Sequence, residues 1–407
     1  MTFTFAGLIR VLTDMIRYPV KIQIQITLFL KYTPMRIKLF GLYSLVSLVV
    51  LSSCNQGDPA TEAAESITDT VMETSPDTLV LEGERHIKNV RMLTNGGDNA
   101  EAYFSFDNSM AVFQSNYKDW GVECDQIFYF NIEEDNLMAN KPKMLSTGMG
   151  RTTCSYFMPG DTSVLYGSTH MGGEACPPEP GRQEGYVWPI YEDYDIFVSN
   201  LEGEIIDTLT NAPGYDAEAT LSPQGDKIVF TSTRSGDLEL WTMDIDGSNK
   251  QQVTSGLGYD GGAFFSPDGS KLVFRASRPQ TEEEKAEYKE LLARGLVKPT
   301  NMELYVCNVD GSDLQQVTDL GNANWAPFFH SSGEKIIFSS NHQSERGFPF
   351  NLFMINIDGT GLKQVTFDEQ FDSFPMFSYD GKKLIFSSNR NNGGTRNTNL
   401  FIADWVD

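Results

Sequence analysis

The sequence predicts an all-β protein, a six-bladed β-propeller with four-stranded blades. A hairpin pattern, two short apolar runs around a turn such as Ser266-Pro267-Asp268-Gly269, occurs six times between residues 99 and 390. Two further strands follow most hairpins, and the fourth strands of two successive units end at Thr210 and Thr254, 44 positions apart. That period is typical of a propeller blade. The alternation of strands and turns leaves almost no sequence for helices.

Each hairpin has the residues that its turn requires. Proline sets the φ of the second turn position, and Asp-Gly tolerates the chain reversal, as at Pro267 to Gly269. Two apolar runs around such a turn predict an antiparallel pair. The second strands end, in blade order, at Tyr117, His170, Arg234, Arg278, His342 and Arg390.

The last blade is predicted to take its fourth strand from the other end of the chain. The sixth unit stops at Asp407 after three strands, whereas the segment from Glu84 to Thr94 ends like the other fourth strands. Pairing the two closes the ring and removes two exposed sheet edges. The predicted propeller therefore spans residues 84–407.

The segment before the propeller is predicted to direct export. A basic start after Met35, an apolar run and the ending Leu51-Ser52-Ser53-Cys54 resemble a bacterial lipoprotein signal over residues 35–53. The resemblance implies that cleavage leaves Cys54 as the lipid-bearing first residue; the alternatives are a plain membrane anchor or a cysteine without a role. Residues 1–34 fit poorly before such a signal, so Met35 is the expected start. The polar residues 54–83 are expected to form a flexible tether.

The charge of the chain argues against a nucleic-acid partner. It has 31 Lys plus Arg against 55 Asp plus Glu, a net charge of −24. Binding to a phosphate backbone needs clustered cations. An acidic, soluble surface is the simpler interpretation.

The repeated turns, such as Phe265 to Gly269 and Phe377 to Gly381, resemble the WD-like "Pro-Asp" repeats of the TolB family. The resemblance implies a lipid-tethered propeller of the cell envelope, facing the periplasm or the cell surface. It would bind a protein or a glycan, as in the Tol biopolymer transport system, as a monomer without cofactor. TolB proteins carry an α/β domain where this sequence has only the tether, so a literal TolB role is not expected.

An enzyme is the alternative interpretation. Oligogalacturonate lyase is built on related repeats and uses a His-rich metal site, which this sequence does not match. A metal-dependent carbohydrate lyase or hydrolase would place His170, His342 and arginines around the channel mouth. No G-x-S-x-G motif supports a peptidase.

Extra length is concentrated on one predicted face, in the loops between strands two and three. The insertions comprise residues 171–192 in blade two, 279–300 in blade four and 343–349 in blade five. Such loops on a rigid scaffold typically form a binding surface. Within the blade-four insertion, Thr281 and Gly295 delimit a helix. This helix either packs on the propeller without a role in binding or lies on the propeller rim. The aromatic residues of the blade-two insertion either stack on a ligand or hold the loop in place.

Comparison of equivalent positions separates structural from candidate binding residues. An aspartate at the start of strand one and an arginine at the end of strand two predict an ion pair in three blades, which we call the clasp. The clasps are Asp216–Arg234, Asp260–Arg278 and Asp372–Arg390.

Blades two and five replace the arginine with histidine, and in a six-membered ring the two blades face each other. Freed imidazoles on the insertion face are candidates for binding a substrate or a metal, although two ligands are too few for a usual metal site, and none is predicted. The candidate ligand-binding residues are His170, His342, Thr152, Asn324, Tyr117, Tyr186, Trp188 and Trp325. No catalytic residue is assigned.

The cysteines of an exported protein can form disulfides. Cys124, Cys154 and Cys176 all fall near the insertion face, and Cys154 is expected to bridge Cys124 or Cys176, leaving one thiol free. Cys307 lies within a strand and is expected to be buried.

Overall fold

A computed structural model of the protein describes residues 79–345 and 347–407. The predicted leader, the signal peptide with Cys54, and most of the tether lie outside the described residues. Within the described part, no helix is both long and apolar enough to cross a membrane.

The described residues form the predicted six-bladed propeller, with six four-stranded antiparallel sheets. The first strands of adjacent blades contact each other around the central channel. The strands of blades one to three and the strand that precedes them are β1 (Ile87–Met92); β2 (Asn99–Phe104), β3 (Met110–Ser115), β4 (Gln126–Asn131), β5 (Lys143–Met144); β6 (Thr152–Phe157), β7 (Ser163–Ser168), β8 (Trp188–Pro189) in the insertion, β9 (Asp195–Asn200), β10 (Ile205–Thr208); β11 (Asp216–Leu221), β12 (Lys227–Ser232), β13 (Glu239–Asp244) and β14 (Gln251–Gln252).

Blades four to six continue the pattern, with a single α-helix among the described residues. Their elements are β15 (Asp260–Phe265), β16 (Lys271–Ser277), helix α1 (Glu282–Leu292) and β17 (Leu296–Val297) in the insertion, β18 (Met302–Asn308), β19 (Gln315–Gln316); β20 (Asn324–Phe329), β21 (Lys335–Ser340), β22 (Asn351–Asn356), β23 (Lys363–Gln364); β24 (Asp372–Phe377), β25 (Lys383–Ser388) and β26 (Asn399–Trp405).

Ring closure occurs in blade six as predicted. Strand β1 pairs antiparallel with β26, so that Ile87 lies opposite Trp405 and Met92 opposite Phe401. The sheet therefore has the order β1-β26-β25-β24. Strand β1 therefore covers the outer edge of β26, which would otherwise be exposed.

Apolar side chains fill the spaces between adjacent blades, since both faces of each sheet are covered. Strand β12 shows why its sequence is continuously apolar: Ile228, Val229 and Phe230 are all fully buried. Burying one such side chain stabilises the fold by about 1.5–3 kcal/mol.

Every first strand has a β-bulge at its third residue. The register shifts at this point in all six blades, and the bulge residue adopts a left-handed backbone conformation with φ between 41° and 58°. This conformation is unfavourable for residues other than glycine. The bulge residues are Glu101, Cys154, Glu218, Gly262, Ala326 and Phe374.

The insertions of blades two and four are joined to each other. Strand β8 pairs with β17, Trp188 lying opposite Val297. Helix α1 begins at the predicted cap, because the Thr281 hydroxyl accepts the backbone N–H of Glu284. The helix packs on blade three, where the Tyr288 hydroxyl donates to Asp237 and the ring is buried. The two insertions thus form one layer across the insertion face of blade three.

Candidate functional site

A cavity of about 330 Å³ occupies the channel at the insertion face. All six bulge residues line it. Tyr186, Trp188 and Tyr191 of the blade-two insertion also line it and form its roof. The bulges and the insertion therefore build one concave site from several blades.

Glu218 is the most fully hydrogen-bonded carboxylate in this cavity. It accepts from Arg275 Nη2, from the Tyr259 hydroxyl at 2.7 Å, from the Thr231 hydroxyl at 2.7 Å and from the backbone N–H of Gly262 at 2.9 Å. Burial alone would raise the pKa of Glu218, but the Arg275 guanidinium and the hydrogen bonds from Tyr259, Thr231 and Gly262 together outweigh burial and hold the pKa below its ordinary value. Glu218 is therefore a fixed negative charge that positions Arg275.

Arg275 is held between aromatic rings. Its guanidinium carbon lies 5.2 Å from the ring centres of both Tyr259 and Trp188. Trp188 in turn stacks on Trp325, with ring centres 5.1 Å apart. Gly262 makes room for this arrangement, because a Cβ there would lie 1.8 Å from Arg275 Nη1. The stack attaches the roof to blades four and five.

Glu101 lies at the bulge of blade one and has fewer partners. Its Oε2 accepts the backbone N–H of Cys154 at 3.1 Å, and Gln114 Oε1 accepts the same N–H at 3.2 Å. Burial raises the pKa of Glu101, and the nearby Glu218 charge adds to the increase. The cavity therefore contains the ion pair of Glu218 with Arg275 and also Glu101, which forms no ion pair with any residue that the structure describes.

A second ion pair lies on the cavity wall. Asp125 faces Arg151, with Oδ2 and Nε 3.7 Å apart, and Arg151 Nη2 also pairs with Glu179 of the blade-two insertion. Burial raises the pKa of Asp125 although Arg151 opposes the change. This pair connects blades one and two to the roof.

The structure brings only part of the predicted binding set together. Thr152, Tyr186, Trp188 and Trp325 line the cavity. Tyr117 instead donates its hydroxyl to Asp119 at 2.9 Å. The remaining predicted residues, His170, Asn324 and His342, lie outside the cavity lining.

The binding role of the two facing histidines stays a prediction, and the structure shows the contacts that each ring makes. His170 Nδ1 is hydrogen-bonded to the Ser168 hydroxyl at 2.9 Å, and His342 Nδ1 to the Ser340 hydroxyl at 2.9 Å. Asn324 is bonded within the fold, accepting from the Ser340 hydroxyl at 2.6 Å. Each imidazole folds back onto the serine two positions earlier, so it stays within its own blade. Burial lowers the pKa of both rings.

The Asp–Arg pairs are present in all three blades for which they were expected. Arg234 Nη2 lies 2.6 Å from Asp216 Oδ2 and Arg390 Nη2 lies 2.7 Å from Asp372 Oδ2, while Arg278 pairs with Asp260. Arg234 also lies over the Phe230 ring at 5.2 Å. The residue that ends strand two, whether arginine or histidine, thus contacts side chains of its own blade.

The disulfide differs from the expectation for Cys154. Cys124 is bonded to Cys176, with Cα atoms 6.1 Å apart, while Cys154 and Cys307 are free and buried. Cys154 is instead the bulge residue of blade two and lines the cavity. The blade-two insertion returns Cys176 towards blade one, so the bond anchors the loop that carries the roof.

Sequence reasoning missed Glu101, Glu218, Tyr259 and Arg275. A signal for the first two exists in the repeats, because the bulge residue always follows the aligned Asp, Asn or Thr by two positions. A signal for Arg275 exists in the same comparison, because the equivalent second-strand positions of the other five blades are uncharged.

No group of three or more His, Cys, Asp or Glu side chains suited to a metal ion occurs among the residues that the structure describes.

The comparisons with known proteins agree with the fold. Residues 181–286 match the family profile PD40, the TolB β-propeller domain. A structure assigned as TolB from Agrobacterium tumefaciens superposes with a TM-score of 0.51 at 18% identity, covering 76% of this chain and 91% of that chain. The search of curated proteins found no match.

Two further structures are similar at lower scores. TolB from Acinetobacter baumannii has a TM-score of 0.46 and 16% identity, covering 76% of this chain and 63% of that chain. An oligogalacturonate lyase in complex with manganese has a TM-score of 0.48 and 12% identity, covering 78% and 93%. The ring of six four-stranded blades shows that the described chain is a six-bladed β-propeller, and its residues 181–286 are similar to the TolB β-propeller domain.

Proposed function

We propose that the protein is a binding module of the bacterial cell envelope that receives part of a protein or glycan partner in the channel-mouth cavity. The cavity between the bulge residues and the roof carries this proposal. Its volume of about 330 Å³ is within the range of small-ligand sites. A side chain or one sugar ring fits such a volume, so the partner would insert a short segment.

The chemistry of the cavity supports recognition. Aromatic rings line it, and two arginines lie among its walls, each paired with a carboxylate. Because these charges are held by ion pairs and stacked rings, the site is rigid before a ligand arrives. Rigid, preorganised sites lose less entropy when they bind.

The envelope location is part of the same proposal. The lipoprotein-like signal before Cys54 supports a lipid tether, and the match to the TolB domain supports an envelope role. The mass of the mature amino terminus tests the tether. A diacylated Cys54 that is lost with Cys54→Ala agrees with it, and an unmodified residue there contradicts it.

The lyase or hydrolase alternative would use His170 and His342, and neither lines the cavity. The histidines that such an enzyme would use are bonded within blades two and five. In the cavity, Glu218 and Asp125 each face an arginine.

Site-specific photo-cross-linking tests the binding site. A photoreactive phenylalanine replaces Tyr186 on the roof or, as a matched control, Ile206 on the outer strand β10; the two native side chains are similarly exposed, at 61% and 57%. We expect a discrete adduct in intact envelopes from position 186 and none from position 206. Adducts from both positions alike, or from neither, would contradict a partner at the channel mouth.

A further inference from the structure

Glu101 and Glu218 occupy the same position in blades one and three. Each is the bulge residue of its first strand, with φ of 54° and 57°. Each also accepts the backbone N–H of the next blade's bulge residue, Cys154 at 3.1 Å and Gly262 at 2.9 Å. The two carboxylates can therefore be compared within one molecule.

The two carboxylates differ in the neighbour that the next blade provides. Arg275, opposite Gly261 in the pairing of β15 with β16, forms the ion pair with Glu218. The equivalent position in blade two, opposite Thr153, is Gly167. Blade two thus has no side chain where blade four supplies a guanidinium.

Glu101 consequently lacks a cation among the residues that the structure describes. The groups around it are the Gln114 amide, the Cys154 thiol, the Tyr103 ring and the Glu218–Arg275 pair. Arg275 is already neutralised by Glu218. A partly buried carboxyl group without a cation is costly when ionised, which is why desolvation raises the pKa of Glu101.

Arg275 shows how this channel holds a cation. The carboxylate of Glu218 binds one edge of the guanidinium, and aromatic rings cover its faces. At Glu101 the carboxyl group lies in the same cavity with the ring of Tyr103 nearby. The net charge of −24 would also draw cations towards the protein.

We propose that Glu101 recognises a cationic side chain, an arginine or lysine, that a partner protein inserts into the cavity. This inference rests on the proposed function and specifies its partner as a protein with an accessible basic residue. The inserted cation takes the place relative to Glu101 that Arg275 takes relative to Glu218.

Two small probes test the charge requirement with the whole propeller. N-acetyl-arginine methylamide carries the cation, and N-acetyl-citrulline methylamide is its neutral near-isostere. In NMR titrations at millimolar concentrations we expect the arginine probe to bind at least about 10-fold more tightly. Glu101→Gln should abolish this preference, whereas the exposed control Glu202→Gln should retain it.

Proton release provides a second readout that a merely structural role would not change. Pairing with a cation lowers the pKa of Glu101, so binding at a pH where the free protein still holds the Glu101 proton should release that proton. The calorimetric enthalpy should then depend on the ionisation enthalpy of the buffer in the wild type but not in Glu101→Gln. Gln keeps an oxygen that can accept the Cys154 N–H, and thermal unfolding checks that the variant is folded.

Equal affinity for the two probes, or a preference that survives Glu101→Gln, would overturn the inference. Cross-linking from position 186 separates this result from failure of the proposed function. A protein adduct that forms equally well with Glu101→Gln would leave the binding module intact and reject the cation site. A glycan adduct would also reject a basic protein side chain.

Discussion

Glu84 and Arg390 form a buried two-bond ion pair between residues 306 positions apart. Arg390 Nη1 donates to Glu84 Oε2 at 3.1 Å and Nη2 donates to Oε1 at 2.9 Å. The side chains are 0% and 3% exposed. Arg390 also pairs with Asp372, so the clasp of blade six includes the segment that precedes β1. Closure of the ring thus depends on a charge contact as well as on strand pairing.

Glu84→Gln should lower the free energy of unfolding by about 3 kcal/mol, because it removes half of a buried ion pair and leaves Arg390 with one carboxylate. Chemical denaturation measures this. The adjacent exposed control, Glu82→Gln, should change stability by less than about 0.5 kcal/mol. Equal effects of the two substitutions would show that the contact does not stabilise closure.

Glu239 should make the protein less stable as the pH rises. It is buried beside Asp260, and burial raises the pKa of Glu239 to about 7. The unfolded chain releases this proton near pH 4.5, whereas the folded protein retains it until about pH 7. The folded state therefore binds more protons within this window, and its stability falls as the pH rises through it.

Glu239→Gln should remove that loss, because a neutral amide resembles the protonated acid and can donate to Asp260 Oδ2, for which the described structure shows no hydrogen-bond partner. Relative to wild type, the variant should gain about 3 kcal/mol between pH 4.5 and pH 8. Denaturation at both pH values measures the difference. The same stability difference at both would refute a raised pKa, and Glu202→Gln is the exposed control.

His170 and His342 should titrate below the ordinary histidine pKa of about 6.5, because both rings are partly buried and neutral. Their contribution to stability is present above pH 6.5 and is lost as the pH falls through the folded-state values. NMR titration of the ring resonances measures this, with His170→Gln and His342→Gln assigning the signals. A ring that titrates above pH 6.5 would indicate an acidic neighbour that the structure does not show.

Removing the disulfide should loosen the roof of the cavity. Cys124→Ser with Cys176→Ser should cost about 3 kcal/mol, since the bond closes a loop with a sequence separation of 52. Hydrogen exchange should increase in residues 171–192 more than in the helix α1. A non-reducing peptide map must show the Cys124–Cys176 pair first; a bond from Cys154 instead would contradict the arrangement described above.

The fold follows from the sequence because its signals are local and repeated. Short stretches of sequence identify each turn and each aligned aspartate or arginine. The displaced fourth strand is recognised in the same way, because the segment Glu84–Thr94 ends like the other fourth strands. Because the pattern occurs six times, the strand assignment in one copy strengthens the assignment in the others. The cap of helix α1 is predictable for the same reason, since Thr281 and Glu284 are three residues apart.

The site depends on contacts that only the closed ring produces. Arg275 lies 57 positions from Glu218, and Trp188 of the blade-two insertion reaches blades four and five through Arg275 and Trp325. The histidines appear free in an alignment of blades, yet each is bonded to its neighbouring serine. Repeat spacing determines which strands form a blade. Which side chains meet in the channel is decided by the closure of the ring and by the bulge that directs one residue of every blade towards its axis.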